Sequence, residues 1–201
     1  MRPKTLALMP SIVSGVLPLL LLSALAIAKD NDIECPGLRP PVHRGLTVRA
    51  TFGGALWVGK IGENSRPGPA FSFGLGYEIF SFLAAEVAWT SGIFRTHQPS
   101  PPRPGDFASN ALHAGLRFTL PLNRFDLFVR GGIGFLIVAP DILVRIPEVD
   151  GKLRLSWDGG AGFVWHTPRK HFWVGFEGGV VGASNFPGIQ ILAFGILGTT
   201  L

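Results

Sequence analysis

"LRLSWDGGAGFVWH", Leu153 to His166, sets a large apolar residue beside a charge, a hydroxyl or a glycine at nearly every step. Leu153, Leu155, Trp157, Phe163 and Trp165 fall on one parity, and Arg154, Ser156, Asp158, Gly160 and Gly162 on the other. A period of two is that of a β-strand, whose successive side chains point to opposite faces. The same period recurs on both sides of this stretch. Gly45 to Val58 opposes Leu46, Val48, Ala50, Phe52 and Leu56 to Thr47, Arg49, Thr51 and Gly53. Ala70 to Phe80 opposes Phe71, Phe73, Leu75, Tyr77 and Ile79 to Ser72, Gly74, Gly76 and Glu78, and Phe82 to Ser91 opposes Leu83, Val87 and Trp89 to Ala84, Glu86 and Thr90.

Further on, Leu112, Leu116, Phe118 and Leu120 face away from His113, Gly115, Arg117 and Thr119. Leu127, Val129, Ile133, Phe135 and Ile137 oppose Phe128, Arg130, Gly132 and Gly134, and Phe172, Val174, Phe176 and Val180 oppose Gly175, Glu177 and Gly179. A last strand begins near Ile189, but "IQILAFGILGTTL" is apolar on both parities and its register stays open. Eight strands therefore account for the chain after Arg44. The connections alternate long and short: Gly59 to Pro69, Ser81, Gly92 to Phe107, Pro121 to Asp126, Ala139 to Gly151, Thr167 to His171 and Gly182 to Gly188. Alternation of this kind suits an all-β, antiparallel up-and-down barrel with turns at one end and loops at the other.

Bulk decides which parity faces out. The interior of an eight-stranded barrel is just wide enough for side chains to fill, and the Leu, Phe, Ile, Val and Trp parity would overfill it. A soluble barrel would also need polar residues outside, which the glycine-rich parity does not supply, and lysine is nearly absent from the strands. Turned outward, the bulky set meets lipid, and a closed barrel satisfies every backbone group between strands. A transmembrane β-barrel is the expected fold. Trp57, Tyr77, Trp89 and Trp165 are expected to form interfacial aromatic girdles near the strand ends. The helical alternative, a span from Gly178 to Leu201 without charge, is interrupted by Asn185 and Pro187.

The first residues carry Arg2 and Lys4, an apolar run to Ile27 and small residues at Ala26 and Ala28, the pattern of a secretory signal peptide cut after Ala28. A retained anchor helix is the rival, weakened by Pro10 and Pro18. The expected organisation is a signal peptide over 1–28, a periplasmic leader over 29–44 and the barrel over 45–201. The formal charge of +5 is small and its lysines and arginines are scattered, which argues against a nucleic-acid partner. Cys35 is the only cysteine, so no internal disulfide can form.

The chain resembles the small eight-stranded outer-membrane barrels of Gram-negative bacteria, the OmpA- and OmpX-like proteins. The resemblance covers Gly45 to Leu201 and rests on the signal sequence, the eight alternating segments, glycine-rich strands such as "FSFGLGYE" and "FVRGGIGFLIV", and the apolar last strand. It departs from them in ending on Leu201 instead of Phe or Trp and in having no peptidoglycan-binding domain after the barrel. The resemblance implies an outer-membrane location, a monomer, and contact with outer-membrane lipid and lipopolysaccharide.

On the polar parity lie Arg49, Arg117, Arg130 and Arg154 with Glu78, Glu86, Asp158 and Glu177. Charges of both signs in a narrow lumen are expected to pair, because an isolated buried charge is costly; a narrow ion path is the alternative use. The five histidines have no metal-site spacing, so no metal and no cofactor is expected. His113, with Ser109 on the same parity, is the one constellation suggesting a lipid A-modifying enzyme; otherwise it joins the charge network. Lys60, Arg66, Arg95, Arg103 and Arg145 lie in outer loops, where they could meet lipopolysaccharide phosphates. Thr96 to Asp106 contains four prolines and would suit a protein partner. The expected role is non-enzymatic: structural, or loop-mediated. The alternatives are a barrel component of a secretion, adhesion or gliding-motility assembly, and the lipid A-modifying enzyme.

Overall fold

The computed structural model describes residues 45–96, 106–122, 125–139, 153–167 and 172–200. The signal-peptide and leader expectations, Cys35, Arg103, Arg145, Leu201 and the proline-rich residues 97–105 lie outside the described residues. Alternating sequence becomes strand wherever it was expected: β1 (Leu46–Gly59), β3 (Gly68–Phe80), β4 (Leu83–Thr96), β5 (Asp106–Leu122), β6 (Phe125–Ala139), β7 (Arg154–His166), β8 (Phe172–Ala183) and β9 (Gly188–Thr200). A two-residue β2 (Ser65–Arg66) extends the end of β4, after a single 3-10 turn over Gly62–Asn64.

Each long strand pairs antiparallel with its neighbour, in the order β4-β3-β1-β9-β8-β7-β6-β5, and β4–β5 pairing closes the ring. The seam joins the first strand to the last, from Thr47 opposite Thr200 to Gly59 opposite Gly188. The molecule is an eight-stranded antiparallel barrel with no free edge among its long strands, which removes the row of unpaired backbone groups that an open sheet presents. The described part of the helical alternative, Gly178 to Thr200, falls in β8, β9 and their connection, and no helix among the described residues is long and apolar enough to cross a membrane.

The parity of Leu153–His166 is kept in space. Leu155, Trp157, Phe163 and Trp165 point outward, while Ser156 and Asp158 are buried inside. Outward residues remain exposed around the whole ring, Ile133 at 71%, Phe176 at 63% and Leu120 at 60% among them. A continuous apolar exterior of this extent would not be stable in water, and it is the surface a bilayer core requires.

Two elements run further than the sequence suggests. Gly92 to Phe107 was expected to be loop, yet β4 continues to Thr96 and β5 begins at Asp106. The cause lies inside the barrel: Phe94 and Phe107 stack with centroids 5.2 Å apart, and their burial repays ordering the extra rungs. The register of β9 is likewise fixed by packing. Gln190, Leu192, Phe194 and Ile196 point inward and Ile189, Ile191 and Leu197 outward, so both parities are apolar because the lumen beside this strand is itself apolar.

Two glycines show why the residue is needed. Gly59 ends β1 with φ of 93°, a conformation side chains of L-residues rarely adopt. Gly198 lies beneath the buried Trp173, where an added Cβ would come within 2.1 Å of the indole ring.

Candidate functional site

The lumen is layered. Its middle holds an ion network assembled from seven strands. Arg49 on β1 contacts Glu86 on β4 at 3.0 Å and Glu177 on β8 at 3.2 Å. Arg117 on β5 contacts Glu86 at 3.2 Å and Glu78 on β3 at 3.6 Å. Arg130 on β6 bridges Glu177 and Asp158 on β7 through Nε and Nη1. Apart from Glu78, these side chains are at most 9% exposed. Desolvation at such depth is offset only because every arginine meets two carboxylates, so the network acts as one unit.

Arg154, expected in this network, is placed at the long-loop rim instead. Its Nη1 donates to the Asn185 carbonyl at 2.6 Å, and its guanidinium lies 5.5 Å from the centre of the Phe186 ring. Position along the strand explains the shift, since Arg154 is the first residue of β7. His166, at the other end of β7, contacts Asp126 Oδ2 at 2.6 Å near the short turns.

Above the network the lumen turns apolar. Ala55, Trp57, Ile61, Ala70, Phe94, Phe107, Ala111, Leu136, Val138, Val181, Leu192 and Phe194 form one buried cluster at the long-loop end, with Phe186 packed against it. Trp57 was expected in an outer girdle and is corrected here: it is 5% exposed, sits inside, and packs edge-on against Phe94 at 5.9 Å. Its parity in β1 is that of Arg49 and Thr51, so the pleat turns it inward. Tyr77, Trp89 and Trp165 do point outward, at 54%, 38% and 44% exposure. A second apolar group, Phe128, Val164, Trp173 and Ile196, lies below the network.

These plugs were missed in the sequence. Their signal was the loss of contrast at the strand ends: Leu136 and Val138 sit on the polar parity of β6, as Leu192 and Phe194 do on β9. Gln190, 1% exposed, was missed as well; it accepts a hydrogen bond from Ser109 Oγ at 3.3 Å.

His113 does not pair with Ser109. Its Nε2 lies 2.8 Å from Ser156 Oγ, and its Nδ1 lies 4.0 Å from Asp158 Oδ1. Hydroxyl, imidazole and carboxylate thus follow in the order a nucleophile, base and orienting acid would take. Accessibility limits what this arrangement can reach. All three residues are at most 6% exposed. The adjoining cavity, lined by Glu86, His113, Arg130 and Asp158 among others, has a volume of about 10 Å³. That is room for about one water and none for an acyl substrate. No group of three metal-ligating side chains occurs among the described residues.

No protein-family model matches the sequence, and no curated protein matches it. Solved structures do match its backbone. Neisserial surface protein A aligns at 14% identity over 78% of this chain and 97% of its own, with a TM-score of 0.59. The N-terminal β-barrel domain of Pseudomonas aeruginosa OprF aligns at 10% identity over 79% and 98%, with a TM-score of 0.51. A looser overlay, TM-score 0.45 at 13% identity, relates 77% of the chain to 99% of the outer membrane enzyme PagL. The fold is that of the small outer-membrane barrels, and a fold by itself assigns no activity.

Proposed function

We propose that the chain is a sealed, non-catalytic barrel of the bacterial outer membrane that holds its long-loop end at the cell surface, where it meets lipopolysaccharide and a protein partner. The observation that carries this reading is the filled lumen. Among the described residues an ion network lies between two buried apolar clusters, and the cavity beside Glu86, His113, Arg130 and Asp158 is about the size of a water. With transport and lumen chemistry disfavoured, the surfaces left for function are the lipid-facing belt and the loop end.

A barrel component of a larger envelope assembly is compatible with this reading, since such a part needs only a rigid anchor and an exposed loop end. The lipid-modifying enzyme is favoured by one observation, the 2.8 Å contact between Ser156 and His113, and disfavoured by the burial of both.

Planar bilayers test the seal. Purified protein inserted at 1 M KCl is expected to give no unitary conductance steps, and mass spectra of lipid A from cells carrying His113→Ala are expected to match those from wild-type cells. Discrete steps of stable size would refute the sealed lumen. A change in lipid A acylation that follows His113 would revive the enzyme.

A further inference from the structure

Outside the barrel, one amide faces lipid. On the outward parity of the long strands, between the charged rung of Arg95 and Asp106 and the short turns, the described polar side chains are Tyr77, Ser91, Asn110 and Thr199. Ser91 and Thr199 are buried, at 6% and 8% exposure. Tyr77 carries its hydroxyl on a ring that suits a membrane interface. Asn110, partly exposed on β5, has no such excuse. Ile93 at 49%, Leu112 at 52% and Ile137 at 37% surround it, so the apolar belt continues above it as well as below.

Four residues separate Asn110 from Asp106, about 14 Å along a strand at the antiparallel rise. Strand tilt reduces this to roughly 10 Å of depth. An asparagine side chain is too short to cross that gap, unlike the long stems of arginine and lysine that snorkel. No hydrogen bond joins its amide to another side chain among the described residues. An amide in hydrocarbon is costly until a polar group outside the barrel meets it. A second observation lies at the rim of the same face. Arg95 and Asp106 stand side by side on neighbouring strands with opposite charges, Nε 3.2 Å from Oδ1, and their side chains are 76% and 60% exposed. Arg66 lies beyond Arg95, on the side of β4 away from β5.

A two-fold axis along the membrane normal, between β4 and β5, keeps every residue at its own depth and sets β4 of one copy against β5 of the other. Arg95 then faces the other copy's Asp106, and Asp106 the other copy's Arg95. An amide both donates and accepts, so it is matched by a copy of itself. Ala108 opposite Ala139, one outward rung above Asn110, is a small pair that lets a second backbone come close. We infer that the outward face of β4 and β5 is the contact of a two-fold homodimer in the membrane. Asn110 hydrogen-bonds to Asn110 of the second copy, Ile93, Leu112 and Ile137 pack around the pair, and Arg95 and Asp106 form ion pairs across the rim. A lipid head group reaches the rim charges but not the amide beneath them, whereas a second copy supplies both. The pair departs from the monomer that the family resemblance implies. It rests on the membrane-facing exterior and not on the sealed lumen.

Energy transfer between donor- and acceptor-labelled copies of the full folded chain tests it, with the dyes on Cys35, the only cysteine. The copies share phosphatidylcholine vesicles at increasing lipid dilution, and transfer is expected to follow a monomer–dimer curve. Asn110→Leu is expected to weaken association about three- to thirtyfold, the range of hydrogen-bonded contacts within membranes. Asn110→Ala should do the same without adding bulk. Arg95→Asp and Asp106→Arg should each weaken the dimer alone and restore it together, because the swap keeps opposite signs facing. Ala193→Leu, outward on β9 across the barrel, should change nothing. Wild-type protein that stays monomeric at every dilution would overturn the interface. So would association that both Asn110 variants leave unchanged, or a double charge swap no better than either single one. Heat-modifiable migration is followed in the same samples. Absent transfer in heat-modifiable wild-type protein rejects the dimer alone, whereas a chain that never becomes heat-modifiable rejects the barrel reading too.

Discussion

Arg130→Met is expected to destabilise the folded barrel by about 3–5 kcal/mol, the usual cost of removing one partner from a buried ion pair. Arg130 is the hinge of the lumen network, its side chain 8% exposed and bonded to both Asp158 and Glu177. Glu177 keeps Arg49 at 3.2 Å after the substitution. Among the described residues, Asp158 keeps His113, 4.0 Å away. The loss therefore falls mainly on Asp158, and a second change, Asp158→Leu, should recover part of it because the orphaned charge is gone. Urea unfolding in detergent or vesicles, followed by tryptophan emission, reads both effects. Arg154→Met, at the rim, should cost under about 1 kcal/mol in the same assay. Equal losses at Arg130 and Arg154 would mean that the middle layer is not a coupled network.

Ile133→Arg should cost about 2–4 kcal/mol of stability in a bilayer, as a lipid-facing cation does near the membrane midplane. Ile133 is the most exposed of the large apolar side chains, at 71%, and lies well inside β6. In a water-soluble barrel an arginine at so exposed a position would be almost neutral. Depth supplies the internal control: Leu122→Arg, at the last residue of β5 beside the short turns, should cost no more than about 1 kcal/mol. Reversible unfolding from phosphatidylcholine vesicles measures both. Equal, small penalties would contradict a bilayer around the barrel.

How much could be read beforehand follows from where contrast exists. In Leu153–His166 five of the seven outward residues are large and apolar and nearly every inward one is small or charged, so strand, register and orientation were legible together. The charges on the polar parity were legible as a group, since a narrow lumen obliges them to meet. Their partners were not, because register from strand to strand decides that Arg130 reaches Asp158 and Glu177 while Arg154 reaches Asn185.

Contrast fails at the long-loop end. Trp57 was read as interfacial from its residue type and its place near a strand end, although its parity with Arg49 pointed inward. Aromatic residues serve a girdle and a plug equally well, and only the pleat separates the two uses. The same ambiguity hid Phe94 and Phe107, whose stacking draws β4 and β5 beyond their expected ends. His113 shows a further limit: Ser109 lies four residues away on its own strand, while the serine it touches, Ser156, is 43 positions distant and enters through the β5–β6–β7 register.

The account's central claim is that the bulky parity meets lipid and the other parity fills a closed lumen. Single-tryptophan variants in vesicles of brominated phosphatidylcholine test it most directly, because the chain has five tryptophans and both orientations are represented among them. Trp157, outward at 45% exposure, is expected to be strongly quenched by bromines on the acyl chains, and Trp173, inward at 5%, to keep most of its emission. Strong quenching of Trp173 with Trp157 unaffected would mean that the barrel is inside out, and the membrane reading would fall with it.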